Sequence, residues 1–281
     1  MAKKHVPFVI AYDFDGTLSP GNMQEYDFVP ALGIKPAEFW REAKTMAQQQ
    51  QADEILAYMR LMIEKAQAAR VPVRKKDFAD FGAHIQLFPG VQEWFKRITE
   101  YGRARGVKVE HFIISSGLRE MIEGTPINKH FTRVYASGFM YDHNDVAHWP
   151  ALAVNYTTKT QYLFRINKGA HDLSDNASVN KVVPKPDRAV PFENIVFIGD
   201  GDTDIPCFRL VKDQGGLSIA VYTPNKKGGK TKAQKHRTDG RVHCAVAANY
   251  SEGSELDRII KAQIDAVAAR HATNALLADW W

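Results

Sequence analysis

Along this chain, short unbroken apolar runs alternate with stretches in which apolar residues recur every three or four positions. "VPFVIAY" (6–12), "VEHFIIS" (109–115), "NIVFIG" (194–199) and "LSIAVY" (217–222) are strand-length runs with little or no polar face. Such runs suit strands covered on both sides, as in a parallel sheet. "HCAVAANY" (243–250) reads as a weaker last strand. Between the runs, Val91, Trp94, Phe95, Ile98 and Tyr101 fall at helical spacing after a "FPG" break. A final helix opens at Ser254, with Asp257 placed for a capping box, and buries Leu256, Ile260, Ile264 and Val267. Strands alternating with helices predict an α/β fold built on a Rossmann-like parallel sheet.

Residues 20–86 break that rhythm and hold no strand pattern. From Pro36 to about Arg70 the spacing is helical, with Ile55, Met59, Met62, Ala66 and Ala69 on one stripe. "QQQQ" (48–51) interrupts it, which predicts two helices, and Asp77 is placed to cap another. The chain thus divides into an α/β core, 1–19 and 87–281, and a helical insertion, 20–86, between the first and second core strands. Strand-like segments within 125–160 predict a β-hairpin. Polar residues and prolines make 169–191 a long loop, and "TPNKKGGKTKAQKHR" (223–237) reads as a basic loop without periodicity.

Composition narrows the picture modestly. The net charge of +5 leans toward anionic ligands and is too small to indicate nucleic acid. Cys207 and Cys244 have no zinc or CxxC spacing and read as buried thiols in a reducing compartment. No run approaches the ~18 apolar residues of a membrane helix. The basic start leads into a strand and two aspartates, with no cleavage site, so a cytoplasmic protein is expected.

The chemistry sits at the strand ends. Asp13 and Asp15 in "YDFDGTL" (12–18) are two apart, so they point the same way as the chain leaves the first strand, and Gly16 permits a sharp turn. Open α/β sheets place ligands there. A divalent cation gives two like charges a reason to stay together, and Mg²⁺ prefers hard oxygens. "FIGDGDTD" adds Asp200 as a further ligand and Asp204 as a residue steadying the site from behind, with Asp202 read as a helix N-cap. "FIISSG" offers Ser115, with Ser116 and Gly117 opening a short helix whose N–H groups can cradle an anion. A phosphate beside these acids calls for a cation. Lys159 supplies one, with Lys168 as its rival at the far end of the same helix. A D-x-D-G-T match arises by chance on the order of a few times in a thousand chains of this length.

"DFDGT" (13–17), "IISSG" (113–117), Lys159 and "IGDGDTD" (198–204), in this order, resemble the four motifs of the haloacid dehalogenase-like (HAD) hydrolase superfamily. The helical insertion, and "LFPGVQEWFKRI" (87–98) after it, are similar to the cap and the return to the core in its phosphoserine-phosphatase-like branch. The resemblance implies a phosphatase acting on a small phosphomonoester through an aspartyl-phosphate. Asp13 would be the nucleophile and Asp15 the acid and base. Asp13, Asp15 (through its carbonyl) and Asp200 would hold Mg²⁺. Thr17, Ser115, Ser116, Gly117 and Lys159 would bind the phosphoryl group. An acid at Asp15 favours phosphate over carbon–halogen chemistry, because halide leaves without a proton. Where phosphoserine phosphatases carry a glutamate that reads the substrate amine, this chain has Asn22, with Glu25 three residues on. Phosphoserine is therefore not assigned. A phosphotransferase or mutase with the same site, or a non-catalytic phosphate-binding protein, is the alternative. Phe39, Trp40 and Tyr58 are expected to pack the inserted helices, with the lining of a substrate pocket as the alternative, and the lysines of 223–237 to be solvated or to steer an anionic substrate.

Overall fold

The computed structural model describes residues 5–278, so the terminal pair Trp280 and Trp281 lies outside the described residues. In chain order the elements are β1 (Val6–Tyr12), α1 (Phe28–Ala31), α2 (Pro36–Gln50), α3 (Glu54–Ala69), α4 (Lys75–Gly82), α5 (Val91–Arg103), β2 (Val107–Leu118), α6 (Arg119–Glu123), β3 (Phe131–Tyr141) and β4 (Ala147–Leu152). They continue with α7 (Tyr156–Lys168), α8 (Asn176–Asn180), β5 (Ile195–Gly199), α9 (Ile205–Asp213), β6 (Leu217–Tyr222), α10 (Gly229–Thr238), β7 (Cys244–Ala247) and α11 (Glu255–Ala278). The sheet runs β4-β3-β2-β1-β5-β6-β7, with every pair parallel except β3 with β4. Strand order reverses at β1, so a crevice opens at the carboxyl ends of β1 and β5.

The unbroken apolar character of β1 follows from its two covered faces. Phe8, Ile10 and Tyr12 pack with Trp94, Phe95 and Ile98 of α5 and Ile260 and Ile264 of α11. Val9 and Ala11 pack on the other face with Tyr162 and Leu163 of α7 and Phe208 of α9. Between Tyr12 and β2 no strand forms until Val107. Gln51 is left-handed and ends α2, and Asp53 caps α3 through Ile55 and Leu56 N–H, so the glutamine run does separate two helices. Their buried faces join the apolar cluster of the α5 side. The hairpin β3–β4 packs against the same insertion, with Phe78 of α4 stacked on Phe139 and Ala147 N–H bonded to Val73 O.

Four local readings are corrected. Strand β2 continues through Ser116 and Gly117 to Leu118, because Leu118 pairs with Ser137 of β3 across a bulge, and α6 starts only at Arg119. Residues 229–238 form a helix, because Ala233 and His236, three apart, bury against the core while the lysines stay outside. Asp202 caps nothing: its exposed carboxylate pairs with Lys232 at 3.1 Å. Within 169–191 only α8 and a short 3-10 turn form. Buried Arg165 binds the carbonyls of Ala170, Asp172, Leu173 and Asp175, which orders the loop. At α11, Ser254 Oγ accepts from Asp257 N–H, but Asp257 reaches Gly253 N–H and not the N-cap's own.

A buried polar chain backs the strand that carries Asp13. Trp94 Nε1 donates to Tyr12 Oη (2.8 Å), Tyr12 Oη lies 3.0 Å from His111 Nδ1, and His111 Nε2 lies 3.1 Å from Thr99 Oγ1. With Trp94 donating, Tyr12 gives its proton to Nδ1, so His111 is neutral with its proton on Nε2. Burial pushes the His111 pKa from 6.5 down to about 3. Between these values the unfolded chain binds a proton that the native state refuses. The part of the stability that depends on neutral His111 is therefore full above pH 6.5 and falls as pH drops toward 3, by up to ~1.4 kcal/mol per pH unit. From pH 7 to pH 5, denaturant titration should show wild type losing about 2 kcal/mol more than His111→Gln. Equal losses would refute this assignment.

Candidate active site

Asp13 N–H donates to Ile198 O (2.9 Å), which ties the end of β1 to β5. The chain then turns at Gly16, whose φ is +76°, and a Cβ there would lie 2.2 Å from Asp200 Oδ2. Glycine is thus required both by the turn and by the approach of Asp200. Asp13, Asp200 and Asp204 each bring an oxygen within 4.8 Å of the others. Lys159 Nζ, fully buried, donates to Asp13 Oδ1 (3.0 Å) and Asp204 Oδ1 (2.7 Å). Asp204 Oδ2 accepts Asp200 and Gly201 N–H, both at 3.1 Å, so both its oxygens are engaged. The Asp200 carboxylate accepts no hydrogen bond among the described residues. Asp15 lies apart from this cluster, with Oδ1 held by Met23 N–H (2.9 Å) and Oδ2 facing Gly117.

Burial and the neighbouring Asp204 push Asp13 up to about 6, against the pull of Lys159. Burial, then Asp13 and Asp204, push Asp200 up to about 8. Burial and Asp13 hold the Asp15 carboxyl well above the usual carboxylate range. Burial disfavours the Lys159 ammonium, but Asp13 and Asp204 outweigh it and hold its pKa above the ordinary value. The site is short of positive charge, and its donors are all oxygen. That set, with Asp200 unbonded, fits a hard divalent cation such as Mg²⁺.

The other expected residues divide. Ser115 Oγ accepts Gly117 N–H (3.0 Å), and Ser115, Ser116 and Gly117 line the pocket above Asp13. They do so from the end of a strand and not from a helix start. Thr17 is buried, its hydroxyl has no partner among the described residues, and it is not part of the pocket wall. Lys159 lies in the first turn of α7, whereas Lys168 binds the carbonyls of Val179 (2.6 Å) and Lys181 (2.9 Å), away from the acids.

The pocket, about 590 Å³, is walled on one side by Asp13, Asp15 and Asp200 and on the other by Trp40, Ile55 and Tyr58 of α2 and α3. Phe39 packs in the core as expected, but Trp40 and Tyr58, edge to face at 5.5 Å, also face the cavity. Glu25 Oε1 accepts Trp40 Nε1 and Asn22 Nδ2, both at 2.6 Å. Lys44, Glu54 and Lys226 also line the cavity; no motif singles out the first two, and Lys226 stood only within the basic run. The helical period placed Lys44 near the pocket-facing side of α2, a signal too weak to use without the fold.

The family model for haloacid dehalogenase-like hydrolase matches residues 10–209. An uncharacterized protein of Borreliella burgdorferi is 27% identical over 274 residues, covering 88% of this chain and 93% of that one. Among solved structures, phosphoserine phosphatase in its apo form is similar at 15% identity and TM-score 0.57, over 91% of this chain and 98% of that chain. A HAD family hydrolase of Salmonella enterica serovar Typhi matches at 18% identity and TM-score 0.54, over 85% of this chain and 67% of that one. These two likenesses are of fold. On the family match, carried through the strand ends that hold Asp13, Ser115 and Asp200, the chain belongs to the haloacid dehalogenase-like hydrolases.

Proposed function

We propose that the protein is a Mg²⁺-dependent phosphatase that hydrolyses a small phosphomonoester through an aspartyl-phosphate, with 20–86 acting as a cap over the core. The observation that carries this reading is the buried Asp13 carboxylate at the pocket floor, pinned by Lys159 and adjoining the unbonded carboxylate of Asp200. A similar fold has been seen as the phospho-aspartyl intermediate analogue of phosphoserine phosphatase (TM-score 0.53, 16% identity), which supports the same chemistry here.

Asp13 attacks phosphorus while Lys159, holding Oδ1, stops its carboxylate from rotating. Covalent catalysis splits one displacement into two easier ones. Asp15, whose burial favours the protonated form, gives its proton to the leaving oxygen and then takes one from the attacking water. Ser115 and Lys159 hold the phosphoryl oxygens, with the backbone from Ser116 to Gly117 beside them. Asp204 acts only through Lys159 and the turn at Asp200. Asp13, the Asp15 carbonyl and Asp200 would hold Mg²⁺, which supplies charge neutralisation for the phosphoryl group.

Phosphate release from p-nitrophenyl phosphate should fall about 10³-fold in EDTA and return with Mg²⁺. Undiminished release after metal removal would overturn the metal's part. No release at all from folded protein with Mg²⁺, across a panel of metabolite phosphates, would overturn the phosphatase reading.

A further inference from the structure

Two helix caps meet between the inserted helices and the segment that carries Lys159. Asp53 caps α3 with Oδ1, accepting from Ile55 N–H (2.8 Å) and Leu56 N–H (3.1 Å). Its second oxygen, Oδ2, accepts from Asn155 Nδ2. Asn155 is itself the N-cap of α7: its N–H donates to Thr158 Oγ1 (2.8 Å), and its carbonyl accepts Lys159 N–H (3.1 Å). Five residues beyond Asp53, Tyr58 Oη donates to Ser116 O (2.8 Å). One side of α3 therefore holds both segments that face the phosphoryl group.

We propose that Asp53 and Asn155 are positioning residues for Lys159, and that their hydrogen bond makes the alignment of the lysine depend on α3 being seated over the pocket. This rests on Lys159 holding the phosphoryl group, as proposed above. The backbone supplies the reason that a tie is needed. The chain enters α7 through Tyr156 at φ +35°, a left-handed conformation that an exposed tyrosine does not hold by preference. Such a residue persists only where its surroundings over-determine it. Asn155, immediately before it, is nearly buried, and its side chain reaches across to Asp53. Three residues after Tyr156, Lys159 must place its ammonium on Asp13 and Asp204 together, and a small turn of the first helical turn moves it off one of them. Because α3 also supplies Glu54, Ile55 and Tyr58 to the pocket wall, a substrate that seats α3 tightens the lysine in the same step.

The test uses serine at each cap. Serine caps a helix about as well as asparagine or aspartate but is too short to bridge the two helices. Asp53→Ser and Asn155→Ser should each lower kcat for p-nitrophenyl phosphate about tenfold with KM within about twofold, and the double variant should be no worse than either single one. Hydrogen exchange at the Thr158 and Lys159 amides should speed up about tenfold in all three, with the α3 interior unchanged. Losses that multiply in the double variant would mean two independent caps and overturn the proposal. Unchanged exchange at Thr158 and Lys159 would overturn it as well. If wild type released no phosphate, the phosphatase reading would fail while the exchange result still decided whether this bond orders α7.

Discussion

Asp13→Asn should abolish phosphate release, by about 10⁴-fold or more, without weakening the fold. Asparagine is isosteric and keeps an oxygen for Lys159, so the geometry around β1 survives. It cannot form an acyl phosphate that water then cleaves. Removing one charge from three carboxylates whose oxygens lie within 4.8 Å of one another relieves repulsion, so metal-free melting should be unchanged or higher. Asp15→Asn should fail differently. It removes both the donor to the leaving oxygen and the base for the attacking water, so p-nitrophenolate, which leaves unaided, should appear in a fast first turnover ahead of a slow steady state, whereas the first turnover of an alkyl phosphate should be slower by about a further hundredfold. First-turnover and steady-state rates on both substrates, with denaturation curves for each variant, check these statements together. Asp13→Asn retaining activity within tenfold of wild type would rule out the covalent route.

The parts of this site that could be read in the sequence are those set by local rules. Apolar runs covered on two faces mark β1, β2, β5 and β6, and acids after such runs mark the ligand edge of the sheet. Gly16 announced a turn, but its second reason, the approach of Asp200 from β5, is a long-range fact that no spacing encodes. The extension of β2 to Leu118 escaped for the same reason, since it depends on Ser137 of β3. Helix α10 escaped because two buried positions, Ala233 and His236, are too few to make a period among lysines. Asp202 and Asp204 are chemically alike and two residues apart. Helix-start position was enough to turn Asp204 toward the site, but its partner Lys159 and the pairing of Asp202 with Lys232 of α10 depend on the fold. The Asp53–Asn155 bond spans 102 residues and joins two ordinary caps, so neither residue carries a signal of its partner.

Lys159→Met should have the second large effect, on stability as well as on rate. Lys159 has no exposed surface and forms ion pairs with Asp13 and Asp204. Methionine fills much of the stem's volume but leaves Asp13 and Asp204 without their ion-pair partner. Removing one partner of a buried ion pair costs about 3–5 kcal/mol, chiefly because the remaining charge is stranded. The stranded carboxylates have a way out, which is to bind protons. Asp13 and Asp200 already stand at about 6 and about 8 in the native state, above the ordinary 3.8, and losing Lys159 raises them further. Groups with raised native pKa bind more protons folded than unfolded, so their contribution improves as pH falls from 8 to 5. Metal-free Lys159→Met should therefore regain stability on acidification more steeply than wild type, a trend opposite to that set by His111. Added Mg²⁺ should also raise its melting temperature more than it raises that of wild type, because more unneutralised charge awaits the ion. The rate should fall about 10²–10³-fold even at saturating Mg²⁺, since a fixed donor to the phosphoryl oxygens is gone. Melting curves at pH 5 and pH 8, with and without Mg²⁺, separate these effects. If the variant melted like wild type under all four conditions, the ammonium would not be the counter-charge that holds these acids together, and its part in catalysis would fall with it.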